Sequence, residues 1–71
     1  MDENTDFLDK LRRALADEHA GLRSVAVTAL GRIGPAAAAA LPDLRRRLAD
    51  PDSTTRADAA VAIVRITGAP P

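Results

Sequence analysis

An all-α protein, an α-solenoid of two stacked helix pairs, is what this 71-residue sequence predicts. Three observations carry that reading. Apolar residues recur at helical spacing along most of the chain. No alternating strand-like run interrupts them. The third is an internal repeat at an offset of 33 residues. Residues 11–34, LRRALADEHAGLRSVAVTALGRIG, and 44–67, LRRRLADPDSTTRADAAVAIVRIT, share 11 of 24 positions. The ordered series Leu11/Leu44, Leu15/Leu48, Asp17/Asp50, Arg23/Arg56, Ala26/Ala59, Ala29/Ala62 and Ile33/Ile66 is hard to obtain from composition alone. The chain therefore divides as one domain, 1–71, with a first copy at 5–34, a second at 35–67 and a flexible tail at 68–71.

The elements are justified in chain order. Asn4 or Thr5 is the expected N-cap of the first helix, and Asp6 and Asp9 suit its positive end. Phe7, Leu8, Leu11 and Leu15 form its inward face. Asp17-Glu18-His19-Ala20-Gly21 is a break. The second helix puts Leu22, Ala26, Ala29, Leu30 and Ile33 inward and ends at Gly34, after which Pro35 can open a new helix. Ala36–Ala40 is strongly helix-prone, but Pro42 removes a donor and crowds the preceding turn. A kink or a short first piece is expected there, then a main piece from Pro42 to Ala49 with Leu41, Leu44 and Leu48 inward. Asp50-Pro51-Asp52-Ser53 is a turn that contains a cap. The last helix runs from about Thr54 to Thr67 with Ala59, Ala62, Ile63 and Ile66 inward, and Gly68 stops it.

These residues resemble a family. Leu44-x3-Leu48-x-Asp50-Pro51-Asp52-x3-Arg56-x2-Ala59-x2-Ala62 is similar to a HEAT repeat of the short bacterial, phycobilisome-lyase type. Leu15-x-Asp17-x5-Arg23-x2-Ala26-x2-Ala29-Leu30-Gly31-x-Ile33-Gly34 matches the same pattern. The resemblance implies a scaffold that binds other macromolecules, often with the second helices lining a concave surface. It also implies that Asp17, Arg23, Asp50 and Arg56 form a stabilising ladder between repeats. The second copy departs from the pattern: Thr55 stands for Leu22, Asp58 for Val25 and Thr67 for Gly34, as a terminal repeat would.

Composition narrows function. Of 33 apolar residues 16 are alanine, and aromatic residues make up 1%. The core is thin and stacking platforms for bases are missing. Cysteine is absent, which removes disulfides and thiolate chemistry. No apolar run approaches the roughly 20 residues of a membrane span. Met1-Asp2-Glu3-Asn4 does not read as a signal peptide, so a cytoplasmic protein with no membrane contact is expected. His19 is the single histidine. Ser24 and Ser53 lack an evident base, and Asp50/Asp52 belong to a turn. No catalytic residue, metal ligand or cofactor site is expected, and the chain is not read as an enzyme.

Two copies fall below the three or so a solenoid usually needs. A protein partner, self-association or a longer array would supply the rest. With Ala26 taken as inward, Ser24, Thr28 and Gly31 point outward, and their counterparts are Ala57, Val61 and Val64. That apolar patch is the leading candidate contact, with Arg32 and Arg65 as a polar rim and Val61 and Val64 on the concave side. Val25 is expected to pack near Ala60 while Asp58 faces solvent. An alternative is phosphate-backbone binding through a stripe of Arg12, Arg13, Arg45, Arg46 and Arg47. The charge balance weakens it: net charge is zero, and Asp43 and Asp50 flank the stripe. An accessory role in tetrapyrrole attachment is suggested only by the family resemblance.

Overall fold

The computed structural model describes residues 3–71, without the side chain of Asn4. The elements are α1 (Glu3–Ala14), α2 (Ala20–Ile33), a 3-10 segment (Gly34–Ala40), α3 (Leu41–Arg47) and α4 (Ser53–Thr67). No strand occurs among the described residues. α2, the 3-10 segment and α3 abut without a loop, so the helical backbone falls into three uninterrupted stretches rather than four separated helices. α1 packs on α2, α3 on α4, and α2 on α4, and the 3-10 segment touches α2, α3 and α4. The result is a slab of 35 × 28 × 16 Å.

Local chemistry explains each boundary. α1 starts at Glu3, so Asn4 and Thr5 lie inside the helix rather than capping it, and Asp2 falls outside the described residues. His19, in extended conformation, precedes α2 without a side-chain cap. Gly34 ends α2 at φ 77, ψ −145. The φ is positive as expected, but the ψ places it in a region reserved for glycine rather than in αL. The Ala36–Ala40 run is 3-10, not α. Pro42 has no N–H to give Ala38, and its ring crowds the turn before it. Leu41 N–H instead bonds to Ala38 O, closing a tighter turn. α3 then carries Pro42 in its first turn, where a missing donor costs nothing. Asp52 caps α4 by accepting from Thr55 N–H at 2.8 Å. Gly68, left-handed at φ 75, ends it with an N–H to Val64 O at 2.7 Å.

One core joins the two copies. Leu15, Ala26, Val27, Leu30, Ala37, Ala40, Leu44, Ala59, Ala62, Ile63 and Ile66 are buried, with Leu8, Leu11, Ala14, Ile33, Leu41 and Leu48 packed around them. Three expectations fail. Phe7 is 54% exposed and Leu22 is 52% exposed, while Ala29 is only half-buried. The buried face of α2 is Arg23, Ala26, Val27, Leu30 and Gly31, rotated from the expected stripe toward α4. A helix inside a stack has two neighbours, its own partner helix and the next copy. A phase set by one of them is therefore displaced.

Candidate protein-binding faces

The repeated Asp and Arg build the link between copies. Asp17 Oδ1 accepts from His19 N–H at 2.9 Å, and Asp50 Oδ1 accepts from Asp52 N–H at 2.9 Å. Arg23 Nη1 donates to Asp17 O at 2.8 Å, and Arg56 Nη1 donates to Asp50 O at 2.6 Å. The two copies thus share this pair of bonds. Across the junction, Arg23 Nε and Nη2 grip the two oxygens of Asp50 at 2.8 and 2.9 Å. This fork-to-carboxylate pair is charge-assisted in both contacts. Arg47 Nη1 adds a third contact to Asp50 at 3.0 Å. The Arg23 bond holds the buried Asp50 carboxyl below the usual carboxylate range, and Asp50 in turn raises the guanidinium of Arg23.

The α2–α4 contact corrects the expected outer face. Gly31 is buried, and a Cβ there would stand 3.0 Å from Ala62 Cα and Cβ. Ser24 Oγ donates to Asp58 Oδ2, so Asp58 is half-buried between the copies instead of facing solvent. Val25 is 65% exposed and does not take that place. Ser24 and Gly31 are small or polar because α4 lies against them.

Among the described residues, four of the five exposed large apolar side chains lie on outer flanks of the helix pairs, and the fifth, Val61, borders the cleft between α2 and α4. Val61 is 52% and Val64 43% exposed on α4; Leu22 and Val25 are on α2 and Phe7 on α1. Phe7 lies on the side of α1 opposite Thr5, Asp9 and Arg12, which border a groove shared with the 3-10 segment. The offset of 33 explains four of the five. Val64 corresponds to the buried Gly31, and in the second copy no described residue packs on that flank as α4 packs on Gly31. Leu22 corresponds to Thr55, which is 0% exposed, and Phe7 to Ala40, which is 1% exposed. Val25 corresponds to Asp58, which Ser24 holds at the junction. In the first copy those positions have no preceding copy among the described residues. Val61 lies beside Arg65 in a cleft also lined by Thr28, Arg32, Asp58 and Ala62. Ala57 is exposed next to it. A helical phase alone does not mark Leu22, Val25 and Phe7 as surface. Their mismatch with Thr55, Asp58 and Ala40 is the sequence signal that does.

The arginine stripe is spent in part on acids. Arg12 Nε pairs with Asp43 at 3.2 Å and Arg46 Nη1 pairs with the same carboxylate at 2.6 Å. Arg47 is on Asp50, and Arg13 Nε reaches Asp9 O at 3.4 Å, while Arg45 is exposed. His19 Nδ1 lies 3.2 Å from Asp17, but Ser24 is turned to Asp58, so these three do not converge. No group of three metal-binding side chains forms among the described residues.

One membrane expectation needs correction. The stretch Ala20–Arg47 is long and apolar enough to cross a membrane by length and composition. Gly34 turns the chain within it, however, leaving α2 with 14 residues and α3 with 7. Each is shorter than the roughly 20 residues a spanning helix needs.

No curated protein and no solved structure matches this chain significantly. The family model for HEAT repeats matches residues 2–67. With that match covering nearly the whole sequence, and with duplicated helix pairs that each carry the same internal Asp–Arg contact, the chain belongs to the HEAT repeat family.

Proposed function

We propose that this protein is a non-catalytic protein–protein interaction module, a two-unit α-solenoid that recognises its partner through the flanks of its second helices. The observation that carries this reading is the position of Val61 and Val64. Both are large, apolar and exposed, and the counterpart of Val64 in the first copy, Gly31, is packed against another helix. Exposed apolar surface gathered at one place marks a contact region. Arg32 and Arg65 border it and supply the polar rim of an interface. Phosphate binding by the arginine stripe has less support, since Arg12, Arg46 and Arg47 are already paired with carboxylates.

Replacing Val61 with Lys and Val64 with Glu tests the reading. Both side chains are exposed, so the fold should survive, as circular dichroism will show. Loss of partner capture or of self-association relative to the natural protein supports the proposal. Unchanged behaviour in both assays removes this flank from consideration.

A further inference from the structure

We infer that the partner is a second copy of this chain, stacked head to tail. The flank of α4 in one molecule would meet the flank of α2 in the next, as α2 meets α4 within the chain. This rests on the interaction reading above and names its partner.

The internal junction, shifted by one repeat, is the template. Inside the chain, Ser24 of α2 bonds Asp58 of α4 and Gly31 packs on Ala62, while Val27 of α2 and Thr55 of α4 are both fully buried. Moving every number by 33 gives the intermolecular contact. Ala57, Ala60 and Val64 of one molecule would face Leu22, Val25 and Ala29 of the next. All six are apolar. The polar pair Ser24–Asp58 becomes the apolar pair Ala57–Val25. The end faces thus match each other in chemistry, whereas each flank differs from its internal counterpart.

Charge obeys the same rule. Arg56 keeps its Nη1 bond to Asp50 O, and its exposed guanidinium is where Arg23 would hold the next Asp. On the opposite end, Asp17 offers the carboxylate that Asp50 offers inside. Its group is held below the usual range by the His19 N–H, so it stays ionised and ready for a cation. The register that seats Val64 beside Ala29 also seats Arg56 beside Asp17.

Two details set the geometry. Val64 cannot approach Ala29 as closely as Gly31 approaches Ala62, where a single added Cβ would already be at 3.0 Å. The molecules must stand farther apart than the copies do, and the larger Leu22 and Val25 fill that space. The shift also puts Arg45 opposite Lys10 where Arg12 meets Asp43 internally. That like-charge pair lies at an exposed edge, where screening keeps its cost small. Pro71 borders the groove of Ala60, Val61 and Val64 and must move aside.

A head-to-tail contact uses two different faces and does not close after two molecules. The test uses the full chain and two face-blocked variants, Leu22→Lys/Val25→Glu and Val61→Lys/Val64→Glu, in sedimentation velocity up to about 1 mM. The natural protein should show an average mass that climbs past that of a dimer as concentration rises. Each variant alone should stay monomeric, and their equimolar mixture should form dimers and stop there, through the one intact face on each. Circular dichroism confirms that both variants fold. A natural protein monomeric throughout overturns the inference, as does a variant that still dimerises alone or a mixture that stays monomeric. If the natural protein is monomeric yet loses a different protein partner on Val61→Lys/Val64→Glu, the interaction reading stands and only the choice of partner fails.

Discussion

Arg23 and Asp50, 27 positions apart in sequence, form a two-pronged ion pair that crosses from one helix pair to the next, with bonds of 2.8 and 2.9 Å. Arg47 and the Asp52 N–H complete the shell of the carboxylate, which is 2% exposed. A buried charge so surrounded cannot lose its partner cheaply.

Asp50→Ala should therefore destabilise the fold by about 3 kcal/mol, because two arginines are left facing an empty site. Asp17→Ala removes the same residue type from a partly exposed site with no arginine fork on its carboxylate in the monomer and should cost much less at low protein concentration. Urea denaturation of both variants checks the contrast. Equal losses would show that Asp50 acts only as a turn residue.

Acid should unfold the protein through the same groups. The Asp50 and Asp52 carboxyls are lowered in the folded state, Asp50 by Arg23 and Asp52 by the Thr55 hydroxyl and N–H. A carboxyl whose folded pKa is depressed adds stability at pH above its unfolded value, and that stability is lost as pH falls through the folded value. Stability should thus be flat above about pH 5 and fall progressively below about pH 4. Asp50→Asn should show a shallower fall. A melting temperature that stays constant from about pH 5 down to about pH 2.5 would count against this.

Gly31→Ala sets helix propensity against packing. Alanine gains up to about 1 kcal/mol in a helix interior. The added methyl would meet Ala62 Cα, a backbone atom that cannot turn away, at 3.0 Å. Overpacking costs about 1–3 kcal/mol. Net destabilisation of about 1 kcal/mol is expected in thermal melts, and a stabilised variant would mean that α2 and α4 slide apart freely.

Gly21 and Gly34 should respond in opposite directions. Neither has a neighbour within 4 Å of an added Cβ, so only backbone conformation separates them. Gly21 lies in the first turn of α2, and Gly21→Ala should stabilise by about 0.5 kcal/mol. Gly34 sits at φ 77, ψ −145, and Gly34→Ala should destabilise by about 2 kcal/mol. Calorimetry of the two single variants reads both signs.

The helical phase is legible in the residues that form the common core. Ala26, Leu30, Leu44, Ala59, Ala62, Ile63 and Ile66 fall on the inward stripes of their helices and are buried. What a single phase cannot contain is the second neighbour. Gly31 is buried by α4, Val27 is buried beside the expected stripe, and Phe7, Leu22 and Val25 are exposed because nothing precedes the first copy among the described residues. The repeat offset holds that information: a position buried in one copy is exposed in the other wherever its neighbour is missing. The 3-10 segment is half legible. Pro42 announces a disturbance, but the balance between a kink and a tighter helix depends on where Leu41 N–H finds its acceptor. Of the candidate contact residues, Ala57, Val61 and Val64 are at the surface, with Arg32 and Arg65 beside the cleft.

The two copies end their second helices on different headings. α2 leaves through Gly34 at φ 77, ψ −145, followed by Pro35. α4 runs through Thr67, the counterpart of Gly34, and leaves through Gly68 at φ 75, ψ 9. The corner that carries the chain from one helix pair to the next is thus encoded apart from the helices, in a single glycine–proline dipeptide. A designer who wished to lengthen this protein by copying residues 35–67 would obtain sound bricks and a misdirected wall. Restoring Gly-Pro in place of Thr67-Gly68 is the change that would let the added brick lie in line.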